Sequence, residues 1–464
     1  MPRKPFPPVT RRAILQGGAA TVATSSFASS AIAAVTPSSR QPNIVFILAD
    51  DLGYADLSCY GQRAFQTPNL DRLAATGLRF TNGYANSPVC SPTRIALITG
   101  RYQYRLRAGL EEPIVRKDAA VGLPPSHPTL PSLLRQAGYS TSLVGKWHMG
   151  WPPNHGPLKS GYGRFFGILP GAADYFTHSG DDAAVPADTS LMEGDVPVER
   201  AGYLTDLLAA RAITEIGAAA KARRPFFMSL HFTAPHWPWQ GPLDGKKRGW
   251  TKDLFHLDGG TLEKYAEMVR SMDDAVGKVM AELDSHGLSE DTIIVFTSDN
   301  GGERFSDTWP FRGEKTDLLE GGIRVPLIAR WPGRFAAGKT SAQVMTSMDW
   351  LPTLVAAAGA KAAAALPPDG ENLLGILSGR EAVRDRTIFW RYKANDQAAV
   401  RSGDWKYLKR GETESLFDLS SDPRERANLK DKAPDVIARL RRQYQDWNRD
   451  MLRYPANSVS ASHD

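Results

Sequence analysis

The chain has 464 residues, 42% hydrophobic and 23% charged, a composition that excludes a disordered or fibrous protein and allows more than one sizeable core. The net charge of +6 is concentrated at the start: Arg3, Lys4, Arg11 and Arg12 fall in the first 33 residues with no acid. Without those four, 52 Lys plus Arg stand against 50 Asp plus Glu, so no basic surface for nucleic acid is indicated, and two cysteines allow at most one disulfide.

The N-terminus carries "TRRAILQ", then an uncharged and mildly apolar stretch from Ala13 to Ser39 with "AIA" at 31–33. Paired arginines before such a stretch predict a twin-arginine (Tat) export signal over 1–33, cleaved near Ala33 and leaving a periplasmic or secreted protein with no membrane contact. The competing reading is an uncleaved anchor. Gln16, two glycines and several Ser and Thr make the stretch a weak spanning helix.

"NIVFILADD", from Asn43, predicts a buried strand delivering Asp50 and Asp51. Cys59, in "DLSCYG", reads as a packing cysteine. A short helix is expected near 69–76, stopped by Gly77. "CSPTRIALITG" predicts a second helix ending at Gly100, with Ser91 as N-cap and Pro92 as its first residue. Cys90 then lies at a helix N-terminus, where backbone N–H groups favour an anion, and Arg94 on the first turn adds a permanent charge. That setting suits a nucleophile better than a packing residue.

Further strands are expected in "STSLVGKWHMG", ending in Lys146 and His148, and in "PFFMSLHFTAPHWPW", ending in His236. His231 lies inside the latter and reads as core. Trp237 and Trp239 suit either a sugar-stacking rim or core packing. A helix over about 262–286 carries Leu262, Ala266, Val269, Met272, Val276, Val279, Met280 and Leu283 at helical spacing. "TIIVFTSDNGG" ends a strand in Asp299 and Asn300, and "VPLIARWPG" from Val325 predicts another. The alternation predicts an α/β protein with a large mixed, mostly parallel sheet flanked by helices.

The Ala-rich "VAAAGAKAAAALPPDG" marks a junction between a catalytic domain, 41–372, and a smaller C-terminal α+β subdomain, 373–464. There "TIFWRY", "AAVRSGDWKYLKR" and "ESLFDLSSDP" read as short antiparallel strands. A helix from about Pro434 follows, with Val436, Leu440, Tyr444, Trp447 and Met451 on one face. The tail "YPANSVSASHD" reads as loose.

In such sheets ligands bind beyond the carboxyl ends of the strands. Asp50, Asp51, Asp299 and Asn300 would crowd together there, and a hard cation relieves their repulsion. An all-oxygen set suits Ca²⁺ or Mg²⁺.

As a set these motifs resemble the formylglycine-dependent sulfatases, arylsulfatase A-like members of the alkaline-phosphatase-like superfamily. "CSPTR" with "TGR" matches one signature of that family, "GYSTSLVGKWHMG" another, and "ADDLGYADLSCYG" and "TSDNGG" its metal segments. The resemblance implies that Cys90 is oxidised to formylglycine by a maturation enzyme that recognises Pro92 and Arg94. One hydroxyl of the aldehyde hydrate would attack sulfur; the other would lose its proton and expel sulfate. It implies Ca²⁺, ahead of Mg²⁺, held by Asp50, Asp51, Asp299 and Asn300 together with residue 90. Arg94 would serve the hydrate and the metal shell, and Lys146 and Lys315, in "FRGEKTDLLEGG", would bind sulfate. His148 would take a proton in the elimination, and His236 would bind the ester oxygen or protonate the leaving alcohol, with their division of labour left open. The implied substrate is an aryl or carbohydrate sulfate monoester. The alternatives are a phosphate or phosphonate monoester hydrolase of the same superfamily, and a catalytically silent glycan-binding protein.

Overall fold

The computed structural model describes residues 41–115, 117–118, 120–180, 190–245 and 259–462. The expected export signal, 1–33, lies outside the described residues. In chain order the strands up to the end of the main sheet are β1 (Asn43–Ala49), β2 (Leu78–Phe80), β3 (Gly83–Tyr84), β4 (Ser140–Gly145), β5 (Arg164–Ile168), β6 (Leu191–Glu193), β7 (Val196–Pro197), β8 (Phe226–His231), β9 (Thr292–Ser298), β10 (Leu327–Arg330) and β11 (Lys339–Ser341). Strands β12 (Met345–Thr346), β13 (Thr387–Tyr392), β14 (Gln397–Ser402), β15 (Trp405–Arg410) and β16 (Thr413–Asp418) follow. The helices are α1 (Pro68–Ala75), α2 (Cys90–Thr99), α3 (Leu130–Gln136), α4 (Leu204–Ala222), α5 (Leu262–Ser285), α6 (Glu320–Ile323), α7 (Trp350–Ala357), α8 (Leu374–Leu377) and α9 (Pro434–Arg449).

The large sheet has the order β11-β2-β10-β9-β1-β8-β4-β5-β6-β7. Its centre is parallel: β1 pairs with β9 and β8, and β8 with β4, in the same direction. Strand β10, the "VPLIARWPG" strand, runs antiparallel to β9. Every residue of β1 is buried, because both faces are covered. Val45 and Ile47 face a core built with α1, α4 and α5. Ile44, Phe46 and Leu48 face the opposite core, with α2, α3 and α7. The two-residue alternation of a strand thus feeds two cores at once. The C-terminal segment forms its own antiparallel sheet, β13-β14-β15-β16, with α9 packed on it through Ile437 and Leu440.

Three local expectations are corrected, and one helix, α4, carried no expectation. Helix α2 begins at Cys90 with Val89 as cap, two residues earlier than the Ser-Pro pattern suggested. Ser91 accepts instead from the Ile114 N–H at 2.8 Å, so its hydroxyl is not available as a cap. In α5 Leu262 is 47% exposed, because the first turn projects beyond the core. Helix α4, rich in Ala, has too few large apolar residues to announce itself by periodicity. The tail is docked: the Ala461 N–H donates to the Glu112 carbonyl at 2.7 Å and the Glu112 N–H to Val459 at 3.0 Å.

Candidate active site

Four adjacent parallel strands, β9, β1, β8 and β4, end on the same side of the sheet, and their loops carry the site. Strand β1 stops at Ala49, and Asp50 and Asp51 follow it fully buried. Asp51 has φ 62°, a left-handed conformation that costs a non-glycine residue energy and turns its carboxylate inward. Asp299 and Asn300 follow β9, and the Asp51 N–H donates to Asp299 Oδ1 at 3.3 Å. The Asn300 amide donates to Asp51 Oδ1 at 2.7 Å.

Helix α2 enters from below this cluster. Thr93 and Ser87 exchange hydrogen bonds that pin its first turn. The Cys90 Sγ, one Asp50 oxygen and one Asp299 oxygen lie within 4.8 Å of one another. Cys90 is buried at 2% exposure, not on an open surface. Burial pushes its thiol up to about 12, against Lys146 and Lys315, so the unmodified side chain is neutral. Arg94 has no exposed surface and pairs with Asp299 Oδ2 at 2.7 Å and Asp50 Oδ1 at 3.6 Å. Its third partner is the Lys146 carbonyl, at 3.1 Å.

Lys146 Nζ bonds Asp50 Oδ2 at 2.5 Å, and Lys315 Nζ bonds Asp51 Oδ2 at 2.6 Å. Glu303, three residues beyond Asn300 and not singled out from the sequence, lies 3.4 Å from Lys315. Burial pushes Asp50 well above the usual carboxylate range, against Lys146 and Arg94. Burial also raises Asp51, but Lys315 and His236 outweigh it and hold that carboxyl below the usual range.

His148 follows β4 at φ 56°. Its Nε2 bonds the Ile114 carbonyl at 2.7 Å, which assigns the proton to Nε2 and leaves Nδ1 as an acceptor. Nδ1 is buried and has no hydrogen-bond partner among the described residues. His236 bonds the Trp237 carbonyl through Nδ1 at 2.5 Å and presents Nε2 to Asp51 Oδ2 at 3.5 Å. Burial lowers both imidazoles, Lys146 adding to it at His148 and Lys315 at His236, so both are neutral. His231 is buried within β8 and bonds the Lys146 carbonyl at 3.3 Å. Trp239 is core, edge-on to Phe305 and Tyr265, while Trp237 is half-buried beside the His236 ring.

The donor set fits a hard divalent cation. Asp50 Oδ1 and Asn300 Oδ1 are buried oxygens with no hydrogen bond among the described residues. Oxygens of Asp50 and Asp51 also cluster with a His236 nitrogen within 4.8 Å. Such a cation would compete with Lys146 and Lys315 for these carboxylates and free both ammonium groups for an anionic ligand.

The chain was compared with known proteins. A family model described as "Sulfatase" matches residues 42–360, and one described as "N-sulphoglucosamine sulphohydrolase, C-terminal" matches 313–450. N-acetylgalactosamine-6-sulfatase of Mus musculus is 35% identical over 387 residues, covering 79% of this chain and 72% of that protein. Arylsulfatase A of Homo sapiens is 33% identical over 459 residues, covering 86% and 85%. The crystal structure of Ps i-CgsB in complex with k-i-k-neocarrahexaose superposes with a TM-score of 0.81 at 30% identity, covering 91% of this chain and 96% of that one.

Proposed function

The chain belongs to the sulfatase family and is a sulfuric ester hydrolase, and from that premise we propose that it cleaves glycan sulfate monoesters with a formylglycine derived from Cys90 and a bound Ca²⁺. A formylglycine hydrate would supply one hydroxyl to attack sulfur and a second whose deprotonation expels sulfate. Ca²⁺ held by Asp50, Asp51, Asp299, Asn300 and residue 90 would neutralise charge on the sulfate oxygens.

The chain's own groups do the rest. Lys146 and Lys315 present ammonium groups to the anionic ester and hold it over residue 90. Arg94 orients the Asp299 and Asp50 carboxylates. His148 accepts a proton at Nδ1, because its Nε2–H is already given to the Ile114 carbonyl. His236 gives its Nδ1–H to the Trp237 carbonyl, so its neutral ring carries no proton on Nε2; it gives one to a leaving oxygen only after Nε2 has first taken one up, a step that burial and Lys315 oppose and the facing Asp51 favours. The observation that most supports the reading is the convergence of buried oxygens with the Cys90 Sγ, together with a neutral His148 whose Nδ1 has no hydrogen-bond partner among the described residues.

A glycan sulfate as substrate is supported by the sulfated-sugar names among the relatives and by the oligosaccharide in the neighbouring structure. "TRRAILQ" supports Tat export of a protein already folded and modified in the cytoplasm. Protein coexpressed with a formylglycine-generating enzyme should show an aldehyde at residue 90 by peptide mass spectrometry and about one bound Ca²⁺ by elemental analysis. It should have a higher kcat/KM for an aryl sulfate than for the matched aryl phosphate, with Cys90→Ala inactive. Full activity with a free Cys90 thiol would refute the mechanism, and a higher value for the phosphate would reassign the substrate.

A further inference from the structure

His148 is held from outside the pocket. Its ring faces Gly171, where a β-carbon would fall 2.7 Å from Cε1 and 2.9 Å from Nε2, so that position admits no side chain without displacing the imidazole. The His148 N–H donates to the Leu169 carbonyl at 3.1 Å. The remaining contact is the Ile114 carbonyl. The N–H of the same Ile114 donates to Ser91 Oγ, one residue beyond Cys90. Residue 114 therefore ties the helix start that carries Cys90 to the imidazole beside it.

Glu112 lies two residues before Ile114 in the chain and anchors that stretch to the tail. Glu112 is fully buried, and its carboxylate accepts from Tyr454 Oη at 2.5 Å, the Lys393 N–H at 2.8 Å and Ser460 Oγ at 3.0 Å. The Val459 N–H donates to Glu111 Oε2 at 2.8 Å, and Tyr392 Oη to the Ala461 carbonyl at 2.8 Å. Lys393 Nζ closes the set on Ser458 Oγ at 2.9 Å. A carboxylate withdrawn from water is costly unless directional donors replace its hydration, and here the donors come from the C-terminal tail and the end of β13. An apolar residue would pack the tail equally well but would not fix its register against residues 111–114.

We propose that Glu112 and the tail segment 454–461 are a positioning clamp that holds the Ile114 peptide, and through it the His148 ring and the α2 start, in catalytic register. This rests on the reading of His148 as the proton acceptor. The clamp bonds the tail and the end of β13, so its loss acts on the base through Ile114 while Lys146 Nζ keeps Asp50 and Lys315 Nζ keeps Asp51.

The test uses full-length Glu112→Ala, Glu112→Gln, Tyr454→Phe and Ser460→Ala. In aldehyde-loaded enzyme Glu112→Ala should lower kcat by about 100-fold, the scale of a misplacement near 1 Å, with KM changed less than about twofold. Glu112→Gln should be partly rescued, and Tyr454→Phe and Ser460→Ala should fall in between. A second readout uses protein with Cys90 left as thiol and labelled with ¹⁵N-histidine. The wild type should show the Nε2–H tautomer at His148, and the variants a mixture in the order of their kcat losses. Asp273→Ala, a distant α5 variant, serves as control: it should lower the melting temperature without moving kcat or the tautomer. Unchanged kcat, or a kcat loss with the wild-type tautomer retained, would overturn the clamp. Because the spectra need no turnover, a wild type without sulfatase activity would refute the function and leave the tautomer result standing on its own.

Discussion

A guanidinium with no exposed surface has to be held by anions, and Arg94 is held by Asp299 and Asp50. The Arg94→Met variant keeps an unbranched apolar stem and removes the charge, leaving two buried carboxylates without it. Metal-free protein should lose about 3–5 kcal/mol, read from the urea midpoint. Added Ca²⁺ should restore part of that loss, because the cation supplies the missing positive charge; no recovery would place the cation elsewhere. In "CSPTR" the local pattern placed Cys90 at a helix start, and the resemblance to the sulfatases implied its role. That Arg94 bonds the Lys146 carbonyl was not legible, since 52 residues separate them and only the fold brings α2 to the loop that follows β4. Glu303 was missed for a similar reason: in "DNGGER" it reads as one more loop acid until Lys315 folds back onto it.

Element by element, long amphipathic helices were readable and helix starts were not. Helix α5 followed its apolar spacing, with Val269, Met272, Val276 and Leu283 fully buried. What the spacing could not reveal is that α5 caps α1. Asp273 accepts from the Asn69 N–H at 3.1 Å, the Asn69 side chain at 2.9 Å and the Leu70 N–H at 2.8 Å, so a carboxylate from one helix satisfies the first-turn donors of another. The helices cross closely at Gly277, where a β-carbon would fall 2.4 Å from Asn69 Oδ1. Asp273→Ala should cost about 1–3 kcal/mol, since it strands buried donors, and leave kcat/KM of the folded enzyme unchanged. Thermal unfolding and steady-state rates on one preparation check both halves.

Across the whole molecule, the small sheet and the catalytic sheet are joined by buried charge. Lys406 of β15 has no exposed side-chain surface and bonds Glu320 at 2.9 Å and Glu425 at 2.8 Å. Glu320 opens α6, five residues after Lys315, and also accepts from Tyr84 at 2.6 Å and Arg324 at 3.0 Å. Trp390 adds its Nε1–H to the Ala85 carbonyl, and Ile388, Trp390 and Tyr392 share a core with Leu318, Leu319 and Ile323. Lys406→Met should therefore cost about 3–5 kcal/mol, because it strips a shared cation from two buried carboxylates, of which Glu320 keeps Arg324. Proteolysis of the variant should cut within 387–418 well before the main sheet yields; a uniform loss of protection would show that the two sheets unfold together.

Local chemistry determined much of this protein without help. Apolar runs of strand length ending in Asp-Asp, Lys-Trp-His and Asp-Asn announce a parallel sheet with its polar work at one edge, because a fully buried strand has nowhere else to carry charge. Periodicity likewise marked α5 and α9, and the cysteine at a helix start marked the residue on which the oxygens converge. Tertiary structure alone decided the strand order that sets β9, β1, β8 and β4 side by side, and the left-handed turns at Asp51 and His148 that aim them inward. It alone decided the protonated nitrogen of each histidine and the docking of the tail on Glu112. Each of these depends on groups tens to hundreds of residues apart meeting in a medium without water, where a single carbonyl or carboxylate fixes the proton, and no local pattern encodes such a meeting.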